Sequence, residues 1–152
     1  MSGRRRAREF ALQALYAMDI GGATGAAALS GLWAGRLEDT DVVDEPVGPE
    51  EMEFAQELVR GVAETRDALD LRIEAASLNW RLARMPSVDR NILRVGAHEL
   101  IARADIPASV SINEAIELAK RFGGAESRAF VNGILDRIAA DTGRGGRRTR
   151  KG

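Results

Sequence analysis

Apolar residues recur every three or four positions along most of the chain, which is the spacing of one face of an α-helix. In the first such segment, residues 4–20, this spacing brings Phe10, Ala14 and Met18 together. No segment has the alternating pattern of a β-strand. The pattern therefore predicts an all-α fold, a single compact domain of about seven helices, over residues 4–20, 26–36, 50–65, 67–83, 88–103, 111–122 and 126–140.

Local signals refine these helices. Ser111 and Glu114 have the spacing of a capping box, which predicts that Ser111 caps the helix over 111–122. Pro86 is the first breaker after residue 67, so Trp80 is expected on the apolar face of the helix over 67–83. Gly133 lies inside an apolar helix where glycine costs stability, and this predicts close packing against a neighbouring helix.

Composition excludes several classes of site. The chain has 152 residues, of which 45% are hydrophobic and 30% charged, with no cysteine and one histidine, His98. These counts exclude a disulfide scaffold, a cysteine nucleophile and a metal site built on paired histidines. No apolar run approaches the roughly 18 residues that span a bilayer, and no nucleotide-binding or nucleophile motif is present. A soluble, cytoplasmic, non-enzymatic protein without cofactor or metal is expected, with His98 packed or hydrogen-bonded.

Positive charge is concentrated at the two ends of the chain. Residues 1–8 contain four arginines and no acid, and residues 144–152 contain five cations and no acid. A basic block at a terminus is typical of contact with nucleic acid or an anionic surface. Because residues 142–152 also lack apolar side chains, they are predicted to be a disordered basic tail behind a domain of residues 1–141. Residues 38–45 are predicted to be an acidic loop.

The first helix carries the most informative arrangement. At 100° per residue, Arg5, Arg8 and Tyr16 fall on one flank, away from the apolar face. This cationic stripe leading to an aromatic ring suits phosphates and an unstacked base of single-stranded nucleic acid. A solvated basic end with a tyrosine at the core edge explains the pattern equally well. Three further arginines and one aromatic residue could add to this surface: Arg90, Arg94, Arg128 and Phe130. Phe130 also fits an apolar stripe that would face the core.

Four segments, in this order along the chain, resemble signature segments of the bacterial transcription antitermination factor NusB family. They are RRRAREFALQALY at 4–16, VDRNILRVGAHEL at 88–100, INEAIELAKRFG at 112–123 and FVNGILD at 130–136. The resemblance implies an all-helical, non-enzymatic protein that binds boxA-type single-stranded RNA in nascent ribosomal RNA transcripts. It implies as partners a small-subunit ribosomal protein acting as NusE and the antitermination complex of RNA polymerase.

The resemblance also assigns site residues. The implied RNA surface consists of Arg4, Arg5, Arg6, Arg8, Tyr16, Arg90 and Phe130. Arg128 joins them as the neighbour of Ala129, which stands where some family members have a lysine. The implied surface for the ribosomal protein consists of Tyr16, Asp89, Phe122 and Glu126.

Two other functions compete with this one. Helical domains similar to the NusB family also precede the catalytic domain of certain ribosomal RNA cytosine methyltransferases, but those enzymes need a Rossmann-type domain and catalytic cysteines. This sequence contains neither. The second alternative is a structural homodimer whose basic ends only aid solubility, and no residue distinguishes a monomer from a homodimer.

Overall fold

The computed structural model describes residues 3–22, 24–25, 27–31, 48–78 and 80–143. Within these residues the chain is helical and contains no strand, so the predicted all-α class is confirmed. A short helical segment covers residues 27–31, and one 3-10 turn covers Leu82–Arg84. The long helices are α1 (Gly3–Gly21), α2 (Pro49–Ser77), α3 (Ser87–Ala102), α4 (Ala108–Phe122) and α5 (Ser127–Asp141).

Helix α3 is the centre of the bundle. All of residues 91–100 are buried, and the helix packs against α1, α2, α4 and α5. The absence of a side chain at Gly96 allows α5 to approach closely, since a methyl group there would lie 2.6 Å from Leu135 Cδ1. A helix buried on every side fixes the relative positions of its neighbours, and so α3 positions the surfaces described below.

The segments predicted as two helices, 50–65 and 67–83, form one bent helix, α2, which accounts for the lower helix count. Thr65 has φ −119° and ψ 19°, and its hydroxyl donates to the carbonyl of Gly61 at 2.8 Å. Such a bond back to the preceding turn bends a helix. The helix ends at Ser77, and Leu78 takes a positive φ of 67°. Trp80 therefore lies beyond the helix, 52% exposed, and the expectation that it faces the core is wrong.

The predicted cap at Ser111 is also wrong. Helix α4 begins at Ala108, directly after Pro107, and Ser111 lies within its first turns. The Ser111 hydroxyl donates instead to Glu99 Oε1 at 2.7 Å. Because Glu99 is a carboxylate with 1% exposure, it requires hydrogen-bond donors, and Ser111 supplies one of them.

Gly133 does not mediate the close packing predicted for it. A methyl group at Gly133 would meet only Arg137 Nη2, at 3.9 Å, which is ordinary contact with the end of a flexible side chain. Close approaches between long helices occur instead at Gly96 and at Gly61, where a methyl group would overlap the ring of His98. As predicted, His98 is buried and hydrogen-bonded, with Nε2 2.9 Å from Glu57 Oε2.

Some predictions lie outside the described residues. These are most of the helix predicted over 26–36, the acidic loop over 38–45, and the basic residues 144–152. Among the helices that the structure describes, none is both long enough and apolar enough to cross a membrane. Nor do the described residues contain a group of three or more acidic or histidine side chains that could hold a metal.

Candidate nucleic-acid interface

Arg8, a central member of the predicted cationic stripe, is buried. Its side chain donates two hydrogen bonds to Glu99, from Nε to Oε2 at 2.7 Å and from Nη2 to Oε1 at 2.9 Å. Arg8 is 3% exposed, and Leu12, on the same flank, is also 3% exposed. The middle of this flank therefore does not face solvent, because Arg8 packs against α3 through a bidentate ion pair, whereas Arg5 and Tyr16 on the same flank are exposed.

The other N-terminal arginines also have partners within the protein. Arg5 donates to both carboxylate oxygens of Glu114, at 3.0 and 2.9 Å, with its own side chain 41% exposed. This hydrogen bond, with the charge of Arg5, holds the pKa of Glu114 below its ordinary value. Arg4 Cζ lies 4.6 Å from the centre of the Phe54 ring, which is a cation–π distance. Together with Arg6 and Arg8, these residues form the N-terminal arginine cluster, of which Arg4 and Arg5 reach the surface.

Arg6 is more enclosed than Arg5. Its Nε lies 3.5 Å from Glu51 Oε2, and its side chain is 12% exposed. Glu51 in turn accepts the backbone N–H of Gly48 at the start of α2, at 3.1 Å. Arg6 therefore joins α1 to the beginning of α2.

Tyr16 is exposed on α1, and one turn later Asp19 joins this helix to α3. Asp19 Oδ2 lies 2.8 Å from Arg90 Nη2 and 3.4 Å from Arg94 Nη1, and it accepts the Asn91 side-chain amide at 3.1 Å. Burial alone would raise the pKa of Asp19, but the hydrogen bonds from Arg90 and Asn91 outweigh burial and lower it. Arg90 is therefore largely occupied in holding α1 on α3, whereas Arg94 chiefly holds α2 on α3, through two hydrogen bonds to Asp70 at 2.8 and 3.0 Å.

Phe130 lies beside an aromatic side chain that sequence reasoning assigned to the core. The rings of Phe130 and Trp80 meet edge to face, with centroids 5.9 Å apart and planes at 72°. Phe130 is half-buried, and the neighbouring Arg128 is exposed without an ion pair to any described residue. Neither glycine nor proline marks the end of α2 at Ser77, so the sequence gives no local sign that Trp80 lies beyond the helix.

Three of the residues predicted to meet a protein partner lie around the connection between α4 and α5. Phe122 ends α4 and is half-buried, and Glu126 is exposed just before α5. Asp89 is 6% exposed and accepts the Ser127 hydroxyl at 2.7 Å. Asp89 thus fixes the start of α5, Glu126 faces outward, and Phe122 packs partly against the core. Tyr16 lies apart from them on α1.

A family model described as the NusB family matches residues 5–140. This chain belongs to the NusB family. The transcription antitermination protein NusB of Myxococcus xanthus (strain DK1622) is 52% identical over 139 residues, which cover 91% of this chain and 96% of the relative. NusB family membership thus rests on almost the whole chain, and the matched range contains every site residue predicted above except Arg4.

Solved structures agree with this membership. T. maritima NusB matches with a TM-score of 0.79 and 37% identity, covering 91% of each chain. A crystal structure of the antitermination factors NusB and NusE in complex with dsRNA matches with a TM-score of 0.76 and 25% identity. That match covers 93% of this chain and 98% of the other.

Proposed function

We propose that this chain is a non-enzymatic transcription antitermination factor that acts in the cytoplasm. It binds boxA-type single-stranded RNA in nascent ribosomal RNA transcripts, and it does so jointly with a NusE-type ribosomal protein. The observation that carries the proposal is the match, over 93% of this chain, to a chain in the structure of NusB and NusE in complex with dsRNA. The 52% identity to a relative named as an antitermination protein supports it. Association with RNA polymerase would follow from delivery of the RNA-bound pair to the transcribing enzyme.

The RNA surface that we propose combines cations and rings that reach solvent. Arg4, Arg5 and Arg128 are placed for phosphates, and Tyr16 and Phe130 for bases. Phosphate contacts attract any strand and make binding salt-dependent, whereas stacking and base-edge contacts distinguish sequences. With so few stacking groups, this chain alone should bind RNA weakly and with modest sequence preference.

The remaining arginines of the predicted surface have other roles in this proposal. Arg8 is enclosed with Glu99, so we leave it out of the RNA surface. Arg6 and Arg90 are each bound to a carboxylate and mostly enclosed, and they contribute chiefly by positioning α1. The basic residues 144–152, which we propose to be a tail outside the binding domain, would add attraction that is independent of sequence.

The ribosomal protein is proposed to dock at the connection between α4 and α5. Phe122 offers an apolar ring there, and Glu126 an exposed carboxylate. Asp89 contributes through the Ser127 hydroxyl by holding that connection in place. A partner bound beside the RNA would supply the base contacts that this chain lacks.

Titration of labelled RNA tests the proposal. A boxA-type strand and a scrambled strand are each titrated with this protein, with NusE, and with the mixture of the two proteins. The mixture should bind the boxA-type strand more tightly and more selectively than either protein, and the RNA should tighten the protein pair by the same factor. Binding by this protein alone that equals the mixture would contradict the shared site. Absence of binding in all three titrations would overturn the RNA function itself.

Variants on one face of α1 provide the matched control. Tyr16→Ala removes an exposed ring, while Ile20→Ala removes an exposed aliphatic side chain one turn away. Only the tyrosine variant should reduce selectivity for the boxA-type strand, because an isoleucine offers no stacking face. Deletion of residues 144–152 should weaken both strands alike, since it removes charge but no ring.

A further inference from the structure

Trp80 is the most exposed aromatic side chain among the residues that the structure describes. It is 52% exposed, compared with 42% for Tyr16. Its indole meets the half-buried ring of Phe130 at an interplanar angle of 72°, and about half of the Trp80 surface stays in solvent. A large apolar ring that faces water costs free energy in the unbound protein, and such surfaces are typical of binding sites.

The backbone around Trp80 is held in place by hydrogen bonds on both sides. The Ser77 hydroxyl donates to the Trp80 carbonyl at 2.6 Å, and the Leu82 N–H donates to Glu74 Oε2 at 2.8 Å. Arg137 on α5 donates to the carbonyl of Ala76 at 2.6 Å, which joins the end of α2 to the helix that carries Phe130. A ring held in this way loses little conformational freedom when a ligand binds.

Exposed arginines lie in the turn that carries Trp80, and the Glu74 carboxylate at this turn accepts the backbone N–H of Leu82. Residues 78–88 contain Arg81 and Arg84 and no acid, whereas Arg128, two residues before Phe130 on α5, lies about 200° around the helix from that ring. These three arginines are exposed and form no ion pair with another described residue. Arg90 Nη1 lies 3.3 Å from the Leu82 carbonyl, which connects this turn to the surface that carries Asp19 and Tyr16.

We propose that Trp80 is a base-stacking residue, which forms with Phe130 an aromatic platform for an unstacked base of single-stranded RNA. This inference rests on the proposed RNA-binding function and adds Trp80, Arg81 and Arg84 to the same site. Every base offers a face that stacks on an indole, and guanidinium groups bind the flanking phosphates. A protein partner with an apolar surface would leave these guanidinium groups desolvated and unpaired, whereas an RNA strand supplies both a ring and anions.

Three variants of the full chain test the platform with a fluorescein-labelled, unstructured RNA. Trp80→Ala should weaken binding roughly 5- to 150-fold, the loss expected for one stacked base. Trp80→Phe should restore most of the affinity because it restores a ring. Ile101→Ala removes a comparably exposed apolar side chain at the far end of α3, and it should leave binding unchanged. Circular dichroism and the unfolding midpoint establish that each variant is folded before its affinity is compared.

Fluorescence gives a second readout that does not depend on the stability of a truncated variant. Trp33→Phe leaves Trp80 as the sole tryptophan. Its emission should be quenched as unlabelled RNA saturates the protein.

Unquenched emission at saturation, or full affinity in a folded Trp80→Ala variant, would overturn the platform while leaving the RNA function in place. A change of emission caused by NusE without RNA would overturn the platform and assign Trp80 to a protein interface. Failure of the wild-type protein to bind RNA would overturn the RNA function and the platform together.

Discussion

Two surfaces of the molecule are rich in arginine, and their arginines differ in what they contact. In the N-terminal arginine cluster, Arg5, Arg6 and Arg8 each face a carboxylate contributed by another helix. In the turn that carries Trp80, the exposed Arg81 and Arg84 form no ion pair with a described carboxylate. The number of cations in a segment therefore does not give the charge that is free to bind a ligand, because acids distant in the sequence neutralise one set and leave the other available.

The difference predicts opposite results of mutation. Arginines that hold helices together should affect the free energy of unfolding, and arginines or rings that face solvent should affect binding. The following changes test this division, from the largest expected effect to the smallest.

Arg8→Ala should produce the largest loss of stability, about 3–5 kcal/mol, because it leaves the buried Glu99 carboxylate without its charge partner. Urea unfolding followed by circular dichroism measures this change. The double variant Arg8→Met, Glu99→Met is the control, since replacing both members of a buried pair with apolar side chains is often neutral or stabilising. A loss below about 0.5 kcal/mol, the range of ordinary surface changes, would show that the pair is exposed in solution.

Gly133→Ala should stabilise the protein by up to about 1 kcal/mol, since alanine has the higher helix propensity and its methyl group meets only the end of Arg137. Gly133 lies one turn after Phe130, so this change tests whether the side of α5 near the rings has room. The thermal midpoint reports the gain. Gly96→Ala is the matched control and should destabilise, because its methyl group would lie 2.6 Å from Leu135 Cδ1. Destabilisation by both substitutions would contradict the open environment of Gly133.

The Arg5–Glu114 pair should contribute the smallest and the most pH-dependent amount, no more than about 1 kcal/mol for a pair that is partly exposed. The hydrogen bond from Arg5 places the folded-state pKa of Glu114 below its ordinary value of 4.5. The unfolded state therefore binds a proton first as the pH falls. The contribution is complete above the ordinary pKa and is lost as the pH falls through the lowered one.

Unfolding midpoints at neutral and acidic pH check this dependence. Arg5→Ala should cost stability at neutral pH and almost none where Glu114 is protonated in both states. A cost that stays constant, or that grows on acidification, would show that Arg5 acts through something other than the Glu114 carboxylate.

The helices and their apolar faces were predictable, because periodicity records which side of a helix is buried. In α1, for example, the predicted Phe10 and Ala14 are buried, and Met18 packs against the core. The role of Arg8 was not predictable from local pattern, because its partner Glu99 lies 91 positions away in the sequence. The spacing of residues along a helix does not distinguish an arginine in a buried ion pair from an arginine that faces water.

The placement of Trp80 escaped prediction for a different reason. The end of α2 at Ser77 is followed by a leucine with φ 67°, a conformation that sequence signals normally assign to glycine. The Ser77 hydroxyl and the Glu74 carboxylate instead stabilise this turn through bonds to Trp80 and Leu82. Local side-chain hydrogen bonds, rather than a glycine or proline, thus accompany the end of the helix, and the tryptophan lies at the surface instead of on the predicted core face.

The most direct test of the division between buried and exposed groups compares RNA affinity per folded molecule in two variants. They are Trp80→Ala and the double variant Arg8→Met, Glu99→Met. We expect the double variant to bind the boxA-type strand as the wild-type protein does, since the pair that it removes is buried. We expect Trp80→Ala to lose affinity although its ion pairs are intact. The opposite result, with binding lost in the double variant and kept in Trp80→Ala, would contradict this division.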